Sequence, residues 1–184
     1  LLGQEALAAG DAQKALQHFE AAQATYPENL GERKHLLWPD ADVQYYTGLA
    51  RQALGDEARA AESFARVLEA RGSAASEASY YKALALRAMG REKEAVALLN
   101  AMTRSAKIKL EEQAQQGFAT SVPEFVFAES DLESRRRAHL TYILGLAHLG
   151  RGELDEARAA FEQVRTTVPG HTGAWLRLRE LDRS

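Results

Sequence analysis

The stretch from Gly145 to Pro169, GLAHLGRGELDEARAAFEQVRTTVP, holds Gly145, Gly152, Ala157, Phe161, Val164 and Pro169 at offsets of 0, 7, 12, 16, 19 and 24. Such a spacing describes two antiparallel helices. Small residues at Gly145 and Ala157 let the backbones approach, Gly152 makes the turn, Phe161 fills the wedge between the helices, and Pro169 stops the second helix.

The offsets recur along the chain. Gly3, Gly10, Ala15, Phe19, Ala22 and Pro27 reproduce every anchor, and Gly48, Gly55, Ala60, Phe64 and Val67 reproduce all but the proline, where Gly72 stands. A weaker copy runs through Ala83, Gly90, Ala95, Leu99 and Met102, with alanine for the first glycine and leucine for the phenylalanine. Asp11 and Asp56 follow their turn glycines and are placed to cap the second helices, whereas Arg91 occupies the matching position in the weaker copy. Thr172 is placed to cap a last helix from Gly173 to about Asp182, carrying Trp175, which covers the end of the array.

Composition agrees with helix. Alanine, leucine, glutamate and arginine dominate, prolines number four, and 46 % apolar with 27 % charged residues suits a globular domain. There is no cysteine, which removes disulfides, thiolate metal sites and a cysteine nucleophile and is compatible with cytosol or periplasm. A cytoplasmic location is the expectation. The net charge of -3 gives no field that calls for nucleic acid or anionic lipid, and no apolar run reaches the ~20 residues of a membrane span.

The spacing resembles the tetratricopeptide repeat, whose period is about 34 residues. The likeness implies an all-α, right-handed superhelix of about four helix pairs plus a C-terminal capping helix. A single domain over 1–184 is expected, with repeats at about 1–29, 41–72, 74–116 and 131–170 and the cap at 173–182. Anchor-to-anchor gaps of 45, 35 and 62 residues then leave two insertions, at 30–40 and 107–134. Leu1 already falls inside a helix by this register, which predicts a longer parent chain upstream.

The second insertion is the most individual part of the sequence. Helix-forming residues run from Ala95 to Gln116 unbroken, so the third repeat's second helix is lengthened until Gly117 ends it. Phe118 to Ala128 reads as a loop around Pro123, and Ser130 with Glu133 has capping-box spacing, which starts the next helix near Asp131. Phe118, Phe125, Val126 and Phe127 are expected to fold back as a plug over the array, a partner-binding loop being the alternative.

Tyr26 to Gly31, the FATSVPEFVF segment, Asp131-Leu132 and the Arg135 to His139 stretch resemble the C-terminal repeat array of large bacterial proteins. Those proteins carry an N-terminal domain of unknown function thought to be related to carbohydrate-active enzymes. The resemblance implies a piece of a longer protein whose chemistry, if any, lies elsewhere.

By resemblance to the tetratricopeptide family, first helices line a concave groove. Steps of three and four return to one helical face, and that stripe reads Asp42, Tyr45, Leu49, Gln52, then Glu77, Tyr80, Leu84, Arg87, then His139, Tyr142, Leu146, Leu149. Tyr45, Tyr80 and Tyr142 repeat in register. They either offer a ladder for an extended peptide or pack between neighbouring first helices. Family members that clamp a terminal carboxylate do so with lysine, arginine and asparagine. The matching positions here are Gln4, Tyr46, Glu77 and Tyr81, so that clamp is not expected.

No constellation points to catalysis or a cofactor. The five histidines lack metal-ligand spacing, Glu111-Glu112 and Asp155-Glu156 diverge on their helices, and Gly145, Gly150 and Gly152 lack the Lys-Ser or Lys-Thr of a phosphate loop. Arg135, Arg136 and Arg137 point in three directions and read as a solvated helix face. The expected function is a non-catalytic protein-interaction or assembly module, with a protein, a peptide, an upstream domain or a second copy as partner. The alternative is an accessory array of a carbohydrate-active enzyme, with Tyr45, Tyr80, Tyr142 and Trp38 available to stack on sugars.

Overall fold

A computed structural model describes residues 1–24, 41–116 and 126–182. Among these residues the chain forms nine α-helices and no strand: α1 (Leu2–Ala8), α2 (Ala12–Ala24), α3 (Ala41–Ala53), α4 (Glu57–Glu69), α5 (Glu77–Ala88), α6 (Glu92–Gln116), α7 (Val126–Arg151), α8 (Leu154–Thr167) and α9 (Thr172–Leu181). The insertion 30–40, with Trp38, and the residues Phe118 and Phe125 lie outside the described residues. Phe127 falls within α7, but its side chain also lies outside them.

Two compact units divide the chain. One comprises Leu1–Gly72 with Tyr81–Ala95, the other Ser73–Tyr80 with Val96–Ser184, so the division runs through α5 and α6.

Four hairpin turns are built alike. Gly10, Gly55, Gly90 and Gly152 have φ between 74° and 81°, the left-handed region that an L side chain enters only with strain. At each turn the glycine N–H donates three residues back and the next N–H donates five back. Gly55 N to the Gln52 carbonyl is 3.0 Å and Asp56 N to the Arg51 carbonyl is 2.9 Å. This double bond satisfies carbonyls that the ending helix would leave bare. Asp11 and Asp56 then cap: their Oδ1 atoms accept from Lys14 N (3.0 Å) and Arg59 N (3.2 Å). Arg91 does not, because a guanidinium has no acceptor to offer a backbone N–H; it donates instead to Glu94 (2.7 Å).

In the first unit α1 packs on α2, α2 on α3 and α3 on α4. Gly3 and Gly48 are the points of closest approach, each covered by the phenylalanine sixteen residues on; a Cβ at Gly3 would lie 2.5 Å from Phe19 Cε1, and one at Gly48 would collide with Phe64 in the same way. Ala15, Ala50, Ala60 and Val67 complete a core of small residues. In the second unit α7 packs on α8 and α8 on α9, around Met102, Ile143, Leu146, Phe161 and Val164, all closed to solvent. A Cβ at Gly145 would lie 2.6 Å from Phe161 Cε1. Burying such a ring contributes roughly 2–3 kcal/mol, and the glycine is what makes room for it.

Two helix starts differ from expectation. Helix α7 begins at Val126 and not near Asp131, so Ser130 and Glu133 lie inside it and Val126 to Ala128 belong to helix and not to a loop. No proline or glycine interrupts the chain between Val126 and Leu144, so nothing halts the helix at the capping-box spacing. Helix α9 is capped by His171 and not by Thr172: His171 Nδ1 accepts from Ala174 N at 3.1 Å, which places the ring proton on Nε2.

Candidate functional site

The residues of the first-helix stripe occupy two depths. On α3, Asp42 and Gln52 are exposed while Tyr45 and Leu49 are half-buried. The Tyr45 ring sits in an aromatic cluster, 5.3 Å from Tyr46, 5.9 Å from Tyr81 and 6.1 Å from Phe64, and Tyr46 in turn stacks on Phe19 at 5.8 Å. On α5, Glu77 and Arg87 are exposed, Leu84 is half-buried, and Tyr80 is buried. Arg87 grips Glu92 through two bonds of 2.9 Å. On α7, His139 is exposed, Leu149 is half-buried, and Tyr142 and Leu146 are buried.

Tyr80 and Tyr142 are therefore core residues of the second unit. Tyr142 lies 5.7 Å from Phe161 and 4.6 Å from His171, and Gly173 leaves space for its hydroxyl. Burial pushes the Tyr142 hydroxyl up to about 12, with Glu77 adding to the rise and Arg177 opposing it. The Arg177 guanidinium stands 5.4 Å over the Tyr80 ring and pairs with Glu180 at 2.7 Å. His139 is drawn below the ordinary imidazole range, first by partial desolvation; Glu77 opposes this, and His171 and Lys109 reinforce it.

His139 also belongs to a cleft between α6 and α7. The cleft measures about 440 Å³ and is lined by Lys109, Glu112 and Gln113 from α6 and by Arg135, Arg136, His139 and Leu140 from α7. Each set follows from helical periodicity, since residues three and four apart share a face. The three consecutive arginines are all exposed but divide between two surfaces: Arg135 and Arg136 line this cleft, and Arg137 lines a second one of about 530 Å³ with Thr141, His148, Glu156 and Gln163. Lys109, Glu112 and Gln113 carried no sequence signal beyond their spacing, because nothing in it says which helix lies opposite.

At the α7–α8 turn a charged knot holds α6, α7 and α8. Arg151 donates to Thr103 Oγ1 (2.5 Å) and to both Glu153 oxygens (2.9 and 2.6 Å), and His148 Nδ1 lies 2.6 Å from Glu153 Oε2. Arg151 and, behind it, His148 hold the Glu153 carboxyl down at about 2. The carboxylate is thus committed to fastening helices. Among the described residues no group of three or more His, Asp or Glu side chains could hold a metal ion, and no helix is long and apolar enough to cross a membrane.

A tetratricopeptide repeat family model matches residues 45–107 and 112–178. The chain belongs to the tetratricopeptide repeat family. Repeats of this family are similar to it among solved structures as well. MamA from residue 41 to its end, from Desulfovibrio magneticus RS-1, is 22 % identical, with 98 % of this chain and 80 % of that chain covered and a TM-score of 0.33. The C-terminal part of a TPR repeat-containing protein from Cytophaga hutchinsonii is 13 % identical over 97 % of this chain and 68 % of that one, with a TM-score of 0.34. A tetratricopeptide repeat protein from Parabacteroides merdae ATCC 43184 is 12 % identical over 97 % and 69 %, with a TM-score of 0.36.

Proposed function

We propose that this tetratricopeptide chain is a non-catalytic scaffold that receives a segment of a partner protein on the exposed positions of its first helices. The observation that carries the proposal is the two-depth stripe: buried tyrosines and leucine fix the helices, while Asp42, Gln52, Glu77, Arg87 and His139 at intervening positions remain exposed. A rigid helix face loses little entropy when it meets a partner, and exposed polar side chains beside half-buried Tyr45, Leu49 and Leu84 supply both area and direction. The most informative positions are Gln52 and Arg87 on the surface of the first unit and, as a separate surface, His139 on the second.

The test is selection of binders from a random peptide library displayed on phage, with the whole chain as bait, followed by titration against Gln52→Ala, Arg87→Ala and His139→Ala. Selected peptides should lose about tenfold or more in affinity to at least one variant. A library that yields no binder, or binders indifferent to all three substitutions, would sink the proposal.

A further inference from the structure

We propose that His171 is a pH-sensitive latch on α9: its neutral ring holds the first turn of that helix against Tyr142, and a proton on Nδ1 releases the turn. The proposal goes beyond the scaffold function above and does not depend on it.

The cap is the first ground. His171 immediately precedes α9, and its Nδ1 accepts from Ala174 N at 3.1 Å. At Asp11 and Asp56 the capping atom is a carboxyl oxygen, which keeps acceptor capacity in either protonation state. An imidazole nitrogen has one lone pair, and a proton on it turns the acceptor into a donor. Two donors then face each other, and the Ala174 N–H loses its partner at the positive end of the helix dipole, where a cation is also disfavoured. His148 stands in the opposite situation, since its Nδ1 lies 2.6 Å from the Glu153 carboxylate, a partner that suits a proton.

Placement is the second ground. The His171 ring lies 4.6 Å from the Tyr142 ring. Gly173 comes so close to the same phenol that a Cβ there would stand 2.7 Å from the hydroxyl oxygen and 3.2 Å from His171 Cε1. The phenol, the imidazole and the first turn of α9 therefore form one packed group. A charged imidazole is attracted to the face of a tyrosine, but in this position its Nδ1–H would be aimed at the Ala174 N–H. Either the ring turns away or the amide does, and both undo the cap.

The surrounding charges are the third. All the groups that act on this cluster belong to the second unit. His139 of α7 and His171 feel each other's charge, and Glu77 of α5 and Lys109 of α6 also act on His139. Glu77, with Arg177 and Glu180 of α9, acts on Tyr142. Helix α8 presents Arg165 to α9, over the Trp175 ring at 4.8 Å. Arg177 and Glu180 pair with each other at 2.7 Å, and Glu77 and Lys109 have opposite signs, so these charges largely cancel. The lost acceptor then decides the direction: acid loosens the first turn of α9, and with it the surface on which His139 stands.

The experiment follows the whole chain, isotope-labelled for NMR, from about pH 8 to about pH 5, the range in which imidazoles titrate. At the upper end the ring nitrogen shifts should show Nδ1 without a proton, and the Ala174 amide should be protected from hydrogen exchange. At the lower end Nδ1 should carry a proton, and the protection of Ala174, corrected for the intrinsic rate, should fall about fivefold while that of buried Leu146 in α7 holds. His171→Asn, whose amide oxygen caps at either pH, should keep Ala174 protection constant, and His171→Ala should show the lower protection throughout. His139→Gln should leave the fall in place. A proton on Nδ1 at the upper end, protection of Ala174 that ignores pH, or an equal fall at Leu146 would overturn the proposal. A fall that survives in His171→Asn or disappears in His139→Gln would do the same. The ring nitrogen measurement needs no variant, so the proposal can fail even where a variant does not fold.

Discussion

In α3–α4 and in α7–α8 the phenylalanine of the second helix lies against a glycine of its own hairpin, Phe64 on Gly48 and Phe161 on Gly145. At α6 the equivalent position carries Leu99, and the glycine it lies against is Gly150, in the following helix α7, where a Cβ would stand 2.7 Å from Leu99 Cδ2. The helices differ in length as well: α3, α4 and α8 have 13, 13 and 14 residues, whereas α6 and α7 have 25 and 26. A ring locks a hairpin to itself. Leu99 reaches forward to the following helix, and Arg151 on Thr103 makes a second link between α7 and α6. The comparison teaches that keeping the repeat register and forming the α6–α7 cleft fall to different stretches, since the cleft residues Lys109, Glu112 and Gln113 lie where α6 runs past the length of an ordinary repeat helix.

The heaviest blow to the self-locked hairpin is Gly145→Leu. The new side chain must displace Phe161, which is fully buried, and the cost is expected at about 3 kcal/mol, a fall of roughly 6–12 °C in melting temperature for a chain of this length. Gly170→Ala, where nothing lies within 4 Å, should leave the melting temperature where it was. Calorimetry showing equal effects at both positions would mean that the ring–glycine contact does not hold the hairpin.

Leu99→Phe sharpens the comparison. If α6 were simply a worn copy of its neighbours, restoring the ring would stabilise it. Because Leu99 is fully buried against Gly150, overpacking should instead cost about 1–2 kcal/mol. A higher denaturation midpoint for the variant would show that the forward link has room to spare.

The smallest effect concerns the knot at Glu153. Its carboxyl is held at about 2 in the fold, below the ordinary 4.5, so its contribution is present above that ordinary value and is lost as pH falls toward 2. Glu153→Gln should therefore melt below the parent chain at neutral pH, with the gap closing on acidification through that window and shrinking in salt. A gap independent of pH would assign the loss to hydrogen bonding alone.

Much of this was legible from spacing. The turn glycines, the ring–glycine contacts, the caps of Asp11 and Asp56 and the long α6 are local or periodic features, and a chain of one composition displays them in its sequence. The start of α7 was not, because a serine three residues before a glutamate also occurs inside helices, and only the absence of a breaker back to Val126 decides. Periodicity likewise gave the direction of Tyr80 and Tyr142 but not their depth, which depends on Phe161, His171 and Arg177 arriving from later helices. The cleft was invisible for the same reason: Lys109 and Arg136 lie on separate helices, and Arg135 to Arg137 showed three directions without showing what stood in them. The residues that carry the likeness to larger bacterial proteins, Tyr26 to Gly31 and most of the FATSVPEFVF segment, lie outside the described residues.

The forward link also has a temporal side. Gly48 meets Phe64 across sixteen residues, while Thr103 meets Arg151 across 48. Closing the longer segment costs about 1 kcal/mol more in chain entropy, and contacts of greater separation form more slowly. By that measure the hairpins close first and the walls of the cleft later, while Arg177 over Tyr80, 97 residues apart, closes later still.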